Sequence, residues 1–348
     1  MAESPNGANS KPPTLFPLPA RVDAPGGLEA LKGERIREKR DVEYVELGCR
    51  TVLNHCNTAR MPDVWTINPY RGCEFDCGYC YARYTHEYLG FEGPEAFSRT
   101  IFVKAKAPDV LASTLKPQTL YKRPIALGTA TDPYQPAEKR YRVTRGILEV
   151  LARYPGISLS IVTKSPLITR DIDLLQSIDA HADLTILVSL ITLERGVLEV
   201  FDPRAPSAPE RLKTVEALSR AGLDAGIHCA PILPGLTDGT GTIEELCRAA
   251  RDHGARFLGA QVLFLTSTIR ARFWPLLAAH FPDHLPFYRR LYASGLNARE
   301  GYRRLVIGRV RELRARYGLE GLSRRAEGRE QPEPAWPPTA QLAFDLEG

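Results

Sequence analysis

Between residues 64 and 265, six short β-rich runs alternate with stretches of helical spacing, and that alternation leaves the chain few folds to choose from. The runs cover 64–68, 125–129, 158–163, 184–190, 225–230 and 257–265. The helical segments between them include 143–154, 169–178, 209–221 and 242–253. Gly222 and Gly254 stand just past the last two, where helix C-terminal glycines belong. Parallel strands need a crossover of a dozen or more residues, which helices of this length supply. The pattern predicts βαβ units and a parallel α/β sheet, either open and doubly wound or curled into a partial barrel.

Outside this block the character of the chain changes. Residues 1–30 are rich in Pro, Gly, Ser and Asn and read as a mobile lead-in, followed by an N-terminal extension at 31–63. The barrel block is placed at 64–266, a basic helical extension at 267–327 and a Pro-rich disordered tail at 328–348. In the extension, 269–280, 285–294 and 299–317 have helical spacing. Tyr302, Leu305, Val306, Val310, Leu313 and Tyr317 form its last apolar stripe, with Arg303, Arg304, Arg311 and Arg314 largely outside it. From Arg289 to Arg329 there are twelve arginines and no lysine, a face that suits water or a polyanionic partner. For the whole chain of 348 residues the net charge is only +5. With 43% hydrophobic and 25% charged residues, a disordered, collagen-like or fibrous chain is excluded. No run reaches the ~18 apolar residues of a membrane span, and the N-terminus lacks the apolar stretch of a signal peptide, so no membrane association and a cytoplasmic location are expected.

Seven cysteines are present, and an odd number in a long chain without an export signal argues against a disulfide framework. Three of them fall within eight residues, in Gly72-Cys73-Glu-Phe-Asp-Cys77-Gly-Tyr-Cys80-Tyr, between a predicted strand and a helix. Structural zinc sites use four ligands, often as two pairs, and no second pair follows. Bacterial ferredoxins use C-x2-C-x2-C with further cysteines, also missing here. Three thiolates can hold three irons of a [4Fe–4S] cube and leave the fourth open to a small molecule, with Tyr79 and Tyr81 as aromatic shielding. Zinc and inert thiols are the competing readings of the spacing.

The C-x3-C-x2-C loop, with a tyrosine before its last cysteine, resembles the cluster loop of radical S-adenosylmethionine (SAM) enzymes. Across residues 65–265 the chain resembles most the spore photoproduct lyase-like branch, in the stretches NPYRGC…CGYCYARYTHEYLG, ALGTATDPYQPAE, SIVTKS, LVSLITL and ERLKTVEALSRAGLDAGIHCAPILPG. The resemblance implies a partial (β/α)6 TIM-type barrel with a C-terminal helical extension, and SAM lying across the strand C-termini. It implies a [4Fe–4S] cluster on Cys73, Cys77 and Cys80, an electron donor such as a flavodoxin or ferredoxin, and hydrogen abstraction from a substrate. Tyr79, Thr131, Lys164, Ser189 and Arg211 match cofactor-contact positions, Thr131 toward the SAM amino group and Arg211 toward its carboxylate. Tyr79 and Tyr81 match tyrosines of a radical relay, which makes Tyr81 the candidate catalytic residue. At the place of the lyases' hydrogen-donating cysteine stands Thr129, which puts thymine-dimer splitting in doubt.

The remaining polar residues are weaker signals. His86 is read as hydrogen-bonding support for the cysteine loop, and Asp132 and Glu138 as either helix caps or substrate contacts. Cys49, Cys56, Cys229 and Cys247 are read as buried structural thiols. The family label and the arginines favour a damaged or modified nucleic acid as substrate. The rivals are modification of a protein or small molecule, and a non-catalytic iron–sulfur DNA-binding or redox-sensing protein. Gln341, Leu342, Phe344 and Leu346 resemble, over 341–346, the short peptides by which bacterial repair proteins dock on a DNA sliding clamp.

Overall fold

The computed structural model describes residues 32–39, 41–58, 61–91, 93, 95–116 and 123–321. The lead-in 1–30, the Pro-rich tail and the clamp-like peptide at 341–346 lie outside the described residues. Among the described residues eleven strands are formed: β1 (Lys32–Lys39), β2 (Val42–Leu47), β3 (Asn54–Thr58), β4 (Met61–Ile67), β5 (Tyr70–Arg71), β6 (Thr100–Val103), β7 (Ile125–Leu127), β8 (Ser158–Thr163), β9 (Asp183–Ser189), β10 (Ala225–Ile232) and β11 (Leu258–Val262). Seven of them make one sheet in the order β11-β10-β9-β8-β7-β4-β3. From β4 to β11 every neighbouring pair is parallel. The sheet is therefore the curled partial (β/α)6 barrel of the expectation, with all six predicted strands in it.

Burial on both faces explains why these strands read as near-continuous apolar runs. In β9, for example, Leu184, Ile186, Leu187 and Val188 are all at most 1% exposed. Helices cover the outer face. Helix Val143–Leu151 buries Ile147, Leu148 and Leu151. Helix Ala208–Arg220 starts at a capping box, with Glu210 Oε2 accepting from the Ser207 backbone N–H at 2.8 Å. Gly222 and Gly254 have φ of +82° and +76°, as predicted for helix ends.

The 31–63 stretch contains strands that periodicity did not reveal. β3, Asn-His-Cys-Asn-Thr, has little intrinsic β preference, yet it pairs antiparallel with β4 through His55↔Trp65 and Cys56↔Val64. A second sheet, β1-β2-β6-β5, carries the entry to the cysteine loop.

The C-terminal helices Ser267–His280, Leu285–Leu291 and Glu300–Arg316 are built into the barrel. A bridge between Phe257 and Glu320, with Leu258 N–H donating to the Leu319 carbonyl at 3.1 Å, covers the β11 edge. Helix Ser267–His280 lies against the cysteine loop. A Cβ at Gly78 would sit 2.6 Å from Leu276 Cδ1 and 3.1 Å from Phe201 Cδ1, so any larger residue there requires Leu276 to move. Two placements along the last helix are corrected: Leu305, assigned to the apolar stripe, is 58% exposed, and Arg314, placed largely outside it, is buried. Leu305 faces outward because the helix covers the barrel over less than its full stripe. Several arginines are held internally: Arg309 donates to the Asp238 carbonyl, and Arg304 and Arg316 reach Glu300 and Glu244 at 3.3 Å each.

Two outcomes follow from this packing. Gly78→Ala is expected to destabilise the metal-free protein by ~1–3 kcal/mol, the usual cost of overpacking. Leu276→Ala in the same chain should recover part of that loss in chemical denaturation; no recovery would place the strain elsewhere. The second outcome concerns His86, which is 1% exposed among Phe91, Phe97 and Phe102 with Nε2 against the Thr100 carbonyl at 2.8 Å. Burial pushes its pKa down to about 4. The unfolded chain, with an ordinary imidazole near pH 6.5, binds more protons between these values, so stability falls as pH drops through that window. Relative to pH 7, this one group should cost ~2 kcal/mol at pH 5, a pH dependence that His86→Phe removes, read by denaturation at both pH values.

Candidate active site

The cysteine loop leaves β5 through Gly72, whose φ of +90° lies in the left-handed region. A Cβ there would come within 2.7 Å of the Thr100 carbonyl oxygen and 2.9 Å of the Phe97 carbonyl oxygen. Glycine is thus required by both conformation and space. The Gly72 carbonyl accepts from the Thr131 hydroxyl at 2.6 Å and from Gln135 Nε2 at 3.0 Å. Gln135 also accepts from the Glu74 N–H at 3.0 Å, and Glu74 accepts from the Ala137 N–H at 2.8 Å. The loop is in this way clamped to the segment that follows β7. On its other side Asp76 holds Arg83 at 2.7 Å and Arg272 at 2.9 Å.

Cys73, Cys77 and Cys80 line one cavity of about 210 Å³ over the C-terminal ends of the parallel strands. Thr131, Lys164, Ser189, Tyr79 and Tyr81 border the same space. Cys73 and Cys77 are buried and Cys80 is partly exposed. Burial pushes all three thiols up, with Asp132 adding to it at Cys73 and Asp202 at Cys77. Among the described residues no three His, Cys, Asp or Glu side chains converge on a point where a single metal ion could sit. Three thiols on one cavity are the donor set of a four-iron cube, in which each thiolate takes a different iron and the fourth is left without a protein ligand.

A buried polar layer backs the cavity. Tyr79 donates to Asp202 Oδ1 at 2.6 Å, and Arg211 Nη1 meets Asp202 Oδ2 at 2.8 Å. Burial works against ionisation of Asp202, but Lys164 and Arg211 outweigh it and hold the carboxyl below its usual range. Arg211 also donates to the Ser189 carbonyl at 3.0 Å and the Pro206 carbonyl at 2.7 Å. Its guanidinium thus lies one layer behind the wall, where Asp202 and two carbonyls occupy it. Lys164 Nζ is 5.4 Å from the centre of the Tyr79 ring. Burial opposes its charge, but Cys77 and Asp202 more than compensate and raise its pKa. Tyr81 donates to the Thr129 carbonyl, and its ring is 6.2 Å from Phe264.

Asp132 borders the cavity and, like Glu138, is tied into the fold by hydrogen bonds. Asp132 accepts from the Thr163 hydroxyl and the Lys164 N–H at 2.7 Å each, and from the Tyr134 N–H at 2.9 Å. Glu138 is fully buried between the Tyr70 hydroxyl at 2.5 Å and Arg170 at 2.8 Å. Cys56, Cys229 and Cys247 are buried, whereas Cys49 is only half-buried, at the surface end of β2. Sequence reasoning missed Asp202, His228 and Gln261. The last two border the cavity from β10 and β11, strands that read only as apolar runs. Asp202 follows helix Arg195–Phe201 in no motif at all.

With this geometry in place, comparison with known proteins is direct. The sequence profile of the Radical SAM superfamily matches residues 67–250. An uncharacterised protein of Mycobacterium tuberculosis is 35% identical over 281 residues, covering 80% of this chain and 82% of the relative. Another, from Methanocaldococcus jannaschii, is 28% identical over 198 residues, covering 57% and 70%. Among solved structures, a spore photoproduct lyase mutant with dinucleoside spore photoproduct superposes with a TM-score of 0.58 over 79% of both chains, at 16% identity, a likeness of fold. The matched stretch holds all three loop cysteines and the strand ends around them, and the chain belongs to the radical SAM superfamily.

Proposed function

We propose that this enzyme cleaves SAM reductively at the cavity over Cys73, Cys77 and Cys80 and uses the resulting radical on a nucleic acid. The observation that carries the reading is the meeting of three thiols with Lys164 and Ser189 at the ends of parallel strands. A reduced [4Fe–4S] cluster, when bound, supplies the electron that splits SAM into methionine and a 5′-deoxyadenosyl radical, which takes a hydrogen atom from the substrate. The electron comes from a flavodoxin or ferredoxin. Lys164 offers its ammonium to the SAM carboxylate, a charge-assisted bond. Ser189 offers a hydroxyl beside it. Thr131, whose hydroxyl donates to the Gly72 carbonyl and accepts from Gln135 Nε2 at 2.9 Å, acts by fixing the loop and has one lone pair left for the SAM amino group. Arg211 holds Asp202 and the Ser189 carbonyl, and through Asp202 the Tyr79 ring that borders Lys164. Burial of this layer keeps water away from the radical.

A nucleic-acid substrate is supported by the fold shared with spore photoproduct lyase and by the basic C-terminal helices. Thr129 sets a limit on the reaction. Its hydroxyl, bonded to Asn68 at 3.1 Å, holds its hydrogen far more tightly than a thiol would.

Anaerobic reconstitution with iron, sulfide, dithionite and SAM should yield 5′-deoxyadenosine. Cys77→Ala should lose cluster absorbance and SAM cleavage while keeping the circular dichroism of the folded barrel, because a three-thiolate site has no spare ligand. Unchanged iron content in that variant would contradict the ligand assignment. The wild-type enzyme should show little or no repair of a dinucleoside spore photoproduct. Efficient repair would require a hydrogen donor other than residue 129.

A further inference from the structure

Two cations lie together beside the cavity with no carboxylate among the described residues to balance them. In the antiparallel pair β5–β6, Arg71 stands opposite Phe102. Lys104 lies two residues beyond Phe102, and its N–H continues the ladder to the Pro69 carbonyl at 3.3 Å. Side chains alternate along strands, so Arg71 and Lys104 share one face as diagonal neighbours, ~7–8 Å apart at their backbones. Both are half-buried. Among the described residues neither forms an ion pair, and no carboxylate bears on either. Among the described residues Arg71 has no side-chain hydrogen-bond partner, and Lys104 Nζ has one, the Asn68 carbonyl at 2.8 Å. Burial and the neighbouring Arg71 push Lys104 down to about 8, with the Cys49 thiol working the other way.

The two buried arginines at the back of the site are each matched, Arg83 by Asp76 and Arg211 by Asp202. An unmatched pair repels itself in a medium that screens poorly, and a bridging anion would relieve both charges. Its position gives the anion a context. Asn68, which takes Lys104, also donates to the Thr129 hydroxyl at 3.1 Å and accepts from the Ala130 N–H at 2.7 Å. Thr129 and Ala130 border the cavity. Exposed Arg50 and Lys106 follow the ends of β2 and β6, which run side by side through Glu46↔Val103.

We propose that Arg71 and Lys104 form the seat of a backbone phosphodiester next to the nucleotide that enters the cavity. One non-bridging oxygen would meet the guanidinium and the other the ammonium. The inference rests on the nucleic-acid reading above and adds where the strand is gripped.

The test uses the full chain carrying its reconstituted cluster, with fluorescein-labelled single-stranded decathymidylate as probe. In anisotropy titrations, Arg71→Gln and Lys104→Gln should each weaken binding roughly three- to tenfold and each lower the slope of log affinity against log salt, the double variant by ~0.7, one phosphate's worth on a single strand. Lys104→Arg should retain the slope. Because Arg71 adjoins the cysteine loop, its variants are compared at equal iron content. In parallel, reductive methylation of Lys104, read by peptide mass, should be suppressed at least fivefold by the decathymidylate. An uncharged peptide nucleic acid of the same sequence should not suppress it. Lys104 left fully reactive under saturating oligonucleotide, or an unchanged salt slope in Lys104→Gln, overturns the proposal. So does equal protection by inorganic phosphate with none from the oligonucleotide, which would make this a site for a free anion. Failure of the wild-type enzyme to form 5′-deoxyadenosine strikes the SAM-cleavage reading and is scored separately. An oligonucleotide that does not bind wild type at all removes the nucleic-acid reading and this seat together, while SAM cleavage stands.

Discussion

The carbonyl of Gly72 is the point on which the site depends. Its residue makes a left-handed turn with no room for a Cβ beside the Thr100 and Phe97 carbonyls, and the Gly72 carbonyl itself takes hydrogen bonds from Thr131 and Gln135. A side chain at residue 72 would push the loop off β6, and loss of either donor would free it from the strand-end segment behind β7. Such local strain is tolerated where the surroundings over-determine it. Here they do so from three sides: the segment after β7, the short helix Ala96–Arg99 before β6 through Cys73 N–H and the Phe97 carbonyl at 3.0 Å, and helix Ser267–His280 through Arg272 and Leu276. The cysteines are held by a rigid scaffold, as preorganised chemistry requires.

Behind the cysteines the barrel buries charge. Arg211 and Asp202 are 1% and 3% exposed, and the pair is joined to Tyr79 and to the backbone of β9. Such a pair is a poor source of stability, because desolvating both ions offsets most of their attraction. Its consequence is positional. Removing one partner would leave the other charged and buried, so Tyr79, Ser189 and the neighbouring Lys164 are locked in one arrangement. The helical extension plays the same part on the outer side of the loop, which is why it cannot be regarded as an appendage to the barrel.

The barrel strands were legible in the sequence because parallel strands buried on both faces must be apolar, and because the glycines at residues 222 and 254 mark helix ends. The cysteine loop was legible from spacing alone, and the bordering Thr131, Lys164 and Ser189 through family resemblance. β3 was invisible: its Asn and His residues are strand-forming only because β4 offers a free edge. Asp202 and the Arg71–Lys104 pair were invisible for a related reason. Their meaning lies in partners brought together by tertiary structure, or in partners that are missing, and neither leaves a periodic trace. Arg211 stood out by resemblance as a ligand contact, yet its guanidinium is spent on Asp202.

The most direct test of the account is electron paramagnetic resonance of the dithionite-reduced, reconstituted protein before and after adding SAM. An iron with no protein ligand, open to SAM, predicts a cluster signal whose g-values shift on SAM addition, with line broadening when the SAM carries ¹⁷O in its carboxylate. A [4Fe–4S] signal that is the same with and without SAM would mean that the fourth iron is closed to it, and would contradict the assignment of this cavity.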